Sequence, residues 1–464
     1  MKNKRIILGF LVVFAIFLFV GLKLTNRLIV ENDEGIYWAT FLLVNKGYKL
    51  YQEISFSQLP GFFLAVYPIF KLFGSSIAAA RFGVLFWSTL ALLSIVWLGH
   101  IRKNLFFSLV SVVLLISIPT FFNQSITLQS DVVATSFSTL SFVFMLIFIN
   151  YSSRQSSKNK FEYLWLFLSS LFFSFAIATK FDYSLIFPFG FILLTQKKQR
   201  IFNTFLFLIS SIFIISASLN FFGINVVINN VLSLREKAIS VYPFEPFKVF
   251  DYLMQDLLLL ALILINIFYA LLRWRKDLIF TSLFLWFISS LFLIFSFRPL
   301  FQHHLVFLAV PSALLFSYLF LFMNASINRL IEAIVVLVVL ITFINNFYSL
   351  KERQNSRSII EREVAKDFIL ENTDNNDVII ADEAALYGMT GRLPPPELVD
   401  ISYVQIKSGN ISSQKFQAII KKYKPKLIIA WNGRLALING FYDIIKKDYK
   451  IRKLIKNDKR IYSF

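Results

Sequence analysis

The stretch FNTFLFLISSIFIISASLNFF at residues 202–222 contains no charged side chain. As a helix it is long enough to cross a hydrocarbon core roughly 30 Å thick, which takes about 20 apolar residues. Apolar stretches of similar length, among them 253–272 and 330–347, recur along the first three quarters of the chain. The sequence therefore predicts a membrane protein that crosses the bilayer many times.

The composition supports the same class of protein. Hydrophobic residues make up 57% of the chain and charged residues only 16%, whereas globular domains are roughly 45–50% apolar. The net charge of +20 comes mostly from short Lys and Arg runs between apolar segments, which is typical of cytoplasmic loops and argues against a nucleic-acid partner. Because the chain has no cysteine, disulfides, thiolate nucleophiles and Cys-ligated metals are excluded.

We predict eleven transmembrane helices, with the N-terminus in the cytoplasm. The first, at 6–24, is predicted to stay uncleaved because no small-residue cleavage site follows it. The segment 59–73 is short and contains Pro60, Gly61 and Pro68, so we expect an interfacial or re-entrant helix there. Counting it as a span would place most basic clusters outside, against the positive-inside rule. The predicted spans are 6–24, 78–99, 105–123, 131–150, 161–179, 181–196, 202–222, 253–272, 278–297, 304–323 and 329–348.

The composition changes after Phe347 from apolar to charged and polar. Residues 1–350 are predicted to form a mainly α transmembrane domain, whose first outside loop at 25–77 carries the interfacial helix. Residues 351–464 are predicted to form a small extracytoplasmic α/β domain, because strand patterns at 378–381 and 427–430 alternate with helical patterns.

Carboxylates near the membrane surface are the first candidates for function, because charges kept at membrane depth are costly. The segment ENDEGIY at 31–37 places three of them, including Asp33 and Glu34, just after the first helix. Adjacent like charges raise the pKa of one partner, so a carboxylate here is a candidate general base. The alternative is a solvated loop that marks the end of the helix.

The order of motifs after this acidic segment resembles the opening of a known superfamily. The motifs are GYKLYQE at 47–53, QLPG at 58–61, LFG at 72–74 and ARF at 80–82. The protein O-mannosyltransferase and aminoarabinose-transferase superfamily shows a similar order near its N-terminus. The order is an acidic pair, an aromatic residue, Gly-x-x-x-Tyr-x-acid and a Pro-containing amphipathic segment. The members of this superfamily are GT-C glycosyltransferases, and the resemblance is to the bacterial members.

Later segments extend the resemblance over most of the chain. They are LQSDVVAT at 128–135, ATK at 178–180, RPLFQHHL at 298–305, and DEA at 382–384, GRLPP at 391–395 and WNGR at 431–434 in the polar region. One departure is that some members carry Lys-Pro-Pro or Glu-Lys-Pro before the interfacial helix, where this chain has SQLP at 57–60. A phosphate contact from that Lys is therefore absent, and other cations must supply it.

The resemblance implies a hexosyl- or pentosyltransferase that takes its sugar from a polyprenyl-phosphate donor at the outer membrane face. It implies that Asp33 is the base that deprotonates an acceptor hydroxyl for inverting attack, and that Glu34 tunes this base or binds the sugar. Preorganised cations would stabilise the charge that grows on the leaving phosphate. The candidate phosphate ligands are Lys180, Arg235, Arg298, His303 and Arg81.

Each cation also has a structural alternative. Lys180 could form an ion pair with Asp182 or with another carboxylate. Arg235 and Arg298 could contact the surface or lipid headgroups, and Arg81 could extend to the headgroups from the start of a span.

The remaining candidates are predicted to position the substrate. They are Glu53, Asp131 and Tyr37. His303 and His304 are adjacent, so we expect at most one of them to face the site, and the alternative for each is a capping or packing role. Carboxylates such as Glu53 and Asp131 would also suit a divalent cation, but two carboxylates at an unknown distance do not make a metal site. No metal and no further cofactor is therefore predicted.

Two rival functions remain open. A polysaccharide polymerase or ligase often depends on a large outside loop, but the longest one here before the polar region, 223–252, is short. A transporter or flippase of lipid-linked sugars would show related halves or ionisable groups at mid-membrane, and the sequence shows neither. For the enzyme we expect a polyprenyl-phosphate sugar, a glycan, lipid or protein acceptor, and membrane lipids as partners, with a location in the cell membrane.

Overall fold

The computed structural model describes residues 29–152, 162–196, 199–272, 277–322, 357–455 and 459–464. It also describes residues 11, 14, 15 and 17–25 of the first apolar segment, and residues 337, 341, 342, 344, 345 and 348 of the last. The predicted spans 6–24 and 329–348 therefore lie largely outside the described residues, and the count of eleven spans stays a prediction.

Two helices shorter than a span begin the described membrane region. Helix α1 (Asn32–Asn45) starts with a capping box, in which the backbone N–H of Glu31 donates to the Glu34 carboxylate at 2.9 Å. Helix α2 (Pro60–Phe73) has Pro60 in its first turn, where a missing N–H costs nothing. It occupies the segment predicted to be interfacial or re-entrant, and most of its first half is buried inside the protein.

The remaining helices of the membrane region follow in chain order. They are α3 (Ile77–Ile101), α4 (Leu105–Ser117), α5 (Pro119–Ser125), α6 (Ser130–Ser152), α7 (Glu162–Lys180), α8 (Ile186–Thr195), α9 (Arg200–Phe221), α10 (Ile224–Val241), α11 (Lys248–Met254), α12 (Leu257–Leu272), α13 (Leu278–Ser296), a 3₁₀ turn (Gln302–Leu305) and α14 (Val306–Phe320). Among the described residues, six helices are long and apolar enough to cross a membrane, or up to eight if each of two bent pairs is one span. The prediction of a multi-pass, mainly helical membrane protein is confirmed.

The two bent pairs meet at one buried carboxylate. Helices α4 and α5 bend by 77°, and α11 and α12 bend by 113°. Asp256 lies between α11 and α12, where it accepts the backbone N–H of Leu259 at 3.1 Å. The same carboxylate accepts the N–H and the hydroxyl of Thr120, at 2.9 and 2.6 Å, in the first turn of α5. These bonds satisfy free N–H groups in the first turns of α5 and α12, at the two bends. The predicted spans 105–123 and 253–272 are therefore broken and not straight.

Two further predicted boundaries are wrong. The predicted span 181–196 is helical only over the 10 residues of α8, because Phe181 adopts a left-handed φ of 53° and ends α7. The predicted outside loop 223–252 contains the helices α10 and α11. In helix α10, Val227, Val231 and Leu234 recur at helical spacing and are buried.

The terminal domain (357–464) is an α/β unit with a four-stranded sheet. Its elements are α15 (Arg357–Asn372), β1 (Ile379–Ala381), α16 (Ala385–Thr390), α17 (Tyr403–Lys407), α18 (Ser413–Tyr423), β2 (Leu427–Ala430), α19 (Phe441–Ile445), β3 (Lys450–Ile455) and β4 (Lys459–Ser463). The sheet order is β1-β2-β4-β3, with β1 parallel to β2 and the other two pairs antiparallel. The strand patterns at 378–381 and 427–430 correspond to β1 and β2.

The sheet shares one of its faces with the membrane bundle. Ile379 and Ile429 belong to the same hydrophobic core as the transmembrane helices. Ile380 and Ile428, which alternate with them along the strands, belong to a separate core on the other face. The hydrophobic core on one face of the sheet is therefore continuous with that of the bundle.

Helix α1 is the element that joins the two parts. A Cβ added at Gly35 would lie 2.5 Å from the backbone N of Ala385, and one added at Gly388 would lie 2.2 Å from the ring of Trp38. Such distances leave no room for any larger residue, so α1 and α16 approach each other closely at two glycines. This packing holds the acidic start of α1 between the bundle and the terminal domain.

Candidate functional site

A cavity of about 440 Å³ opens between the membrane bundle and the terminal domain. Its wall includes the first turns of α1, the end of α7, the middle of α10, the segment 296–304 and residues 400–404 of the terminal domain. We call it the central cavity. Six of the ten predicted site residues line it, namely Asp33, Tyr37, Lys180, Arg235, Arg298 and His303.

Asp33 and Glu34, in the first turn of α1, point in different directions. Successive residues of a helix point about 100° apart. Asp33 is half-buried and lines the central cavity, whereas Glu34 is fully buried inside the protein. Tyr37, one turn after Asp33, also lines the cavity, and its ring packs edge-on against Phe62 at 5.0 Å between centroids.

Glu34 and Arg81 form a buried ion pair. The Arg81 Nε and Nη2 groups donate to the Glu34 carboxylate at 2.8 and 2.7 Å, and neither side chain has exposed surface. Arg81 also donates to the carbonyls of Thr25 and Ile29, and the N–H of Leu128 donates to Glu34 at 2.6 Å. The predicted roles of Glu34 at the sugar or base and of Arg81 at the donor phosphate are corrected, because a buried, fully bonded pair cannot contact substrate in the central cavity.

Asp131 is the centre of a second charged cluster behind the cavity wall. It lies in the first turn of α6 and is fully buried. Its carboxylate lies 3.5 Å from the Lys180 Nζ and 3.8 Å from each Nε2 of His303 and His304. Both imidazoles also line the central cavity. The expectation that at most one of the two histidines faces the site is therefore wrong, because each ring of the 3₁₀ turn approaches a different oxygen of Asp131.

The same cluster could hold a metal ion. The ligand atoms of Asp131, His303 and His304 lie within 4.8 Å of one another, the only such group found among the described residues. Both oxygens of Asp131 are buried and accept no hydrogen bond from that part of the chain. A carboxylate with two imidazoles suits a divalent transition metal, while the Lys180 ammonium competes for the same carboxylate. The prediction of no metal stays untested.

The position of Lys180 at the end of α7 depends on a close helix contact. A Cβ added at Gly61 of α2 would lie 2.6 Å from the Thr179 hydroxyl. Asp182 turns away from Lys180, because it accepts the hydroxyl of Ser138 and the N–H of Ser184. The predicted alternative of a Lys180–Asp182 ion pair is therefore wrong, and Asp131 is the carboxylate that Lys180 contacts.

Two arginines of the cavity wall stack on aromatic rings. The Arg235 guanidinium lies 4.5 Å from the centroid of Phe181, and that of Arg298 lies 4.3 Å from Phe244. Stacking fixes the plane of a guanidinium while its edge N–H groups stay available to an anion. The two cations are therefore held in place before a ligand binds.

The terminal domain adds residues that we did not predict as site residues. Arg434, Asp400 and Tyr403 line the central cavity. Arg434 belongs to the WNGR segment, which resembles a segment of the bacterial GT-C proteins. Nothing in the neighbouring sequence indicates that its side chain would reach the cavity. Burial and the charge of Asp33 raise the pKa of the Asp400 carboxyl. The wall of the cavity therefore carries four cations and two carboxylates. The cations are Lys180, Arg235 and Arg298 from the bundle and Arg434 from the terminal domain, and the carboxylates are Asp33 and Asp400.

Glu53 lies elsewhere. It lines a second cavity of about 330 Å³ between the segment 51–55, α10 and the terminal domain. Its carboxylate accepts the N–H of Lys49 at 2.8 Å. The prediction that Glu53 helps to position Asp33 is therefore corrected, since the two carboxylates face different cavities.

Comparison with known proteins gives a fold but no sequence family. No protein-family model and no curated protein sequence matches the chain. ArnT from Cupriavidus metallidurans, an aminoarabinose transferase, matches in its apo state with a TM-score of 0.71 at 11% identity, over 100% of this chain and 98% of ArnT. ArnT bound to undecaprenyl phosphate matches with a TM-score of 0.69 at 13% identity, over 98% of this chain and 97% of ArnT.

A second kind of GT-C protein is also similar. The archaeal oligosaccharyltransferase AglB from Archaeoglobus fulgidus, in complex with an inhibitory peptide and a dolichol-phosphate, matches with a TM-score of 0.56 at 11% identity. The match covers 91% of this chain and 69% of AglB. At such low identity the likeness establishes the fold alone. The chain therefore shares the fold of ArnT and AglB, which are GT-C proteins, as the resemblance of its motifs predicted.

Proposed function

We propose that this chain is a membrane glycosyltransferase that moves a sugar from a polyprenyl-phosphate donor to an acceptor hydroxyl. The observation that carries the proposal is one cavity that combines the Asp33 carboxylate with Lys180, Arg235, Arg298 and Arg434. A donor phosphate needs cations, and a hydroxyl nucleophile needs a base. The match to ArnT bound to undecaprenyl phosphate supports a lipid-phosphate donor.

In the proposed reaction Asp33 takes the proton of the acceptor hydroxyl. The hydroxyl oxygen then forms a bond to the anomeric carbon from the side opposite the phosphate, and the bond between that carbon and the phosphate oxygen breaks. The electron pair stays on the phosphate, so the lipid phosphate leaves with one additional negative charge. Attack from the opposite face inverts the anomeric configuration.

The cations of the central cavity would lower the barrier by stabilising that growing charge. Arg235 and Arg298 are already held by their aromatic rings, and Lys180 is held by the carboxylate of Asp131. Groups positioned in advance need not reorganise during the reaction, and removal of one such group typically lowers kcat about 10²–10³-fold. Asp131 would then act mainly by holding Lys180, and His303 and His304 contact the same carboxylate.

Asp33 suits the role of base because of where α1 places it. It is half-buried, and the side-chain amide of the neighbouring Asn32 donates to it at 3.5 Å. Glu34, in contrast, is committed to Arg81. The proposed topology keeps the N-terminus in the cytoplasm and puts the central cavity and the terminal domain on the outer side, where a polyprenyl-phosphate sugar would present its headgroup.

The test is a transfer assay with the full chain in lipid nanodiscs. Radiolabelled hexose and pentose donors on polyprenyl phosphate are offered together with cell-envelope acceptors. We expect transfer by the wild type, and by Asp251→Asn, a control that removes an exposed acid outside both cavities. Asp33→Asn should keep its melting temperature but lose transfer. Full activity of Asp33→Asn would overturn the base assignment, and no transfer from any donor by a folded wild type would overturn the function.

A further inference from the structure

The second cavity, which Glu53 lines, differs in chemistry from the central cavity. It holds about 330 Å³, within the range of small-ligand sites, which is roughly 300–1,000 Å³. Such sites are usually lined mostly by apolar side chains. Here the wall is dominated by amides and hydroxyls, from Gln52, Ser55, Asn229, Asn230, Gln405 and Asn410.

The charges in this wall nearly balance. The charged lining residues are Glu53, Glu397 and Lys415. Glu397 pairs with Lys422 at 2.9 Å, which offsets its charge. A wall of this kind does not favour an anion such as phosphate, whereas amide and hydroxyl groups can each donate to and accept from an uncharged polar ligand.

One acceptor in the wall has no partner. The Oε2 atom of Glu397 is buried and forms no hydrogen bond within the described part of the chain, while Oε1 accepts from Lys422 and from the Tyr423 hydroxyl. Oε2 has almost no accessible surface, so it is not open to a ligand in the cavity. The donors and acceptors that a polar ligand can reach are the amides and hydroxyls of the wall. A sugar hydroxyl can both donate to and accept from such groups.

The Gln405 side chain connects the walls of the two cavities through hydrogen bonds. The Gln405 amide nitrogen lies 3.2 Å from the Ser55 hydroxyl and 3.4 Å from the Asp400 carboxylate. Asp400 lines the central cavity and Gln405 lines the second. The Asn410 amide nitrogen donates to the Gln405 side-chain oxygen at 2.8 Å. A ligand in the second cavity would therefore lie next to the proposed transfer site.

We propose that the second cavity binds a neutral sugar residue of the acceptor, so that the acceptor is a glycan. This inference rests on the proposed glycosyltransferase function and specifies its acceptor class. A sugar residue held by these amides and hydroxyls would place a neighbouring residue of the same glycan toward the central cavity, where its hydroxyl reaches Asp33. Glu53 then positions the acceptor sugar, and not the base.

The test uses matched substitutions on α10. Ser233 lines the second cavity, and its hydroxyl donates to the carbonyl of Asn229. Ser240, two turns later on the same helix, is exposed, does not line the cavity and makes the same kind of bond to the Lys237 carbonyl. Ser233→Tyr should fill the cavity, and Ser240→Tyr is its control. A milder pair, Asn229→Ala and the exposed control Asn225→Ala, applies if the tyrosine variant is unstable.

Binding of neutral disaccharides of glucose, mannose, galactose and N-acetylglucosamine to the full chain in nanodiscs is measured by saturation-transfer NMR and calorimetry. Hydroxyl-bearing peptides and polyprenyl phosphate are measured on the same samples. We expect at least one disaccharide to bind, with affinity at least ten-fold weaker in Ser233→Tyr or Asn229→Ala and unchanged in the controls. Polyprenyl-phosphate binding should not change in any variant.

Three outcomes would overturn the inference. The first is a wild type that binds polyprenyl phosphate but no disaccharide. The second is equal disaccharide affinity in Ser233→Tyr and Ser240→Tyr. The third is a peptide that binds in the second cavity in place of a sugar. Failure of the proposed function itself would differ, because polyprenyl-phosphate binding and sugar transfer would then be absent from the wild type.

Discussion

The Arg81 guanidinium donates two hydrogen bonds to the Glu34 carboxylate, from Nε at 2.8 Å and from Nη2 at 2.7 Å, and both side chains are fully buried. The pair joins α1 to α3 directly beside Asp33. Since both groups are removed from water, each depends on the other for compensation of its lost hydration. The pair therefore fixes the first turn of α1, and with it the direction of the Asp33 carboxylate.

Breaking this pair should destabilise the protein strongly. Arg81→Met leaves the Glu34 charge buried without its partner, which costs about 3–5 kcal/mol. We expect a large fall in melting temperature, measured in nanodiscs, and a partial recovery in the double variant Arg81→Met/Glu34→Gln, which has no buried charge at this position. An Arg81→Met protein with normal stability but weak donor binding would instead support the original assignment of Arg81 to the donor phosphate.

The close approach of α1 to α16 should not tolerate a methyl group. Gly35→Ala puts a Cβ 2.5 Å from the backbone of Ala385, and overpacking of this kind costs about 1–3 kcal/mol. We expect lower stability and reduced transfer, because α1 carries Asp33. The control is Gly190→Ala on α8, where a Cβ would meet nothing within 4 Å. Equal melting temperatures for the two variants would contradict the packing argument.

Removing a cation of the central cavity should slow transfer from the donor. Lys180→Ala and Arg235→Ala should each lower kcat about 10²–10³-fold, because each removes a preorganised positive charge from the leaving phosphate. Lys248→Ala, which removes an exposed lysine paired with Glu245, is the control. Steady-state kinetics over donor concentration measure the effect, and a Lys180→Ala enzyme with normal kcat would remove Lys180 from the phosphate site.

Stability should depend on pH through Asp400. Burial and the Asp33 charge raise its pKa in the folded protein, so the folded chain holds this proton to higher pH than the unfolded chain. Stability is therefore lost as pH rises from about 3.9, the ordinary value for aspartate, through the folded pKa. Asp400→Asn should melt above the wild type at neutral pH, and the difference should shrink toward pH 4. A constant difference across melts from acidic to neutral pH would contradict this.

Removal of divalent metal should leave transfer unchanged. The Lys180 ammonium already lies 3.5 Å from Asp131 and supplies positive charge at that carboxylate. Transfer is measured before and after extensive chelation. Loss of activity that Zn²⁺ or Mn²⁺ restores would show a metal at Asp131, His303 and His304, and His304→Ala should then lower metal affinity.

The sequence predicted the features that depend on local pattern. Long apolar runs are enough to predict membrane helices, because every backbone polar group in lipid must be bonded within its own segment. The short, Pro-containing segment 59–73 was read correctly as something other than a full-length span, and helix α2 is 14 residues long. The order of small motifs was enough to predict the fold shared with ArnT and AglB, although no protein-family model and no curated protein sequence matches the chain.

Boundaries at polar groups could not be read in the same way. The breaks next to Thr120 and Asp256 depend on a carboxylate that bonds across 136 positions of sequence. Helix α10 was missed because its buried stripe is narrow and polar residues are interspersed with apolar ones along it. In both cases tertiary contacts override the local apolar pattern.

By itself, the sequence of this protein determined the membrane class, the helical character and a short set of ionisable candidates, because these follow from composition and from periodicity along one segment. Only the tertiary structure decided what each candidate does. It directed Asp33 into the central cavity and Glu34 onto Arg81, moved Glu53 to the second cavity, and brought Asp400 and Arg434 from the terminal domain to the site. The physical reason is that a side chain's role depends on its burial and on its charged neighbours, and these neighbours come from helices and loops far apart in the chain.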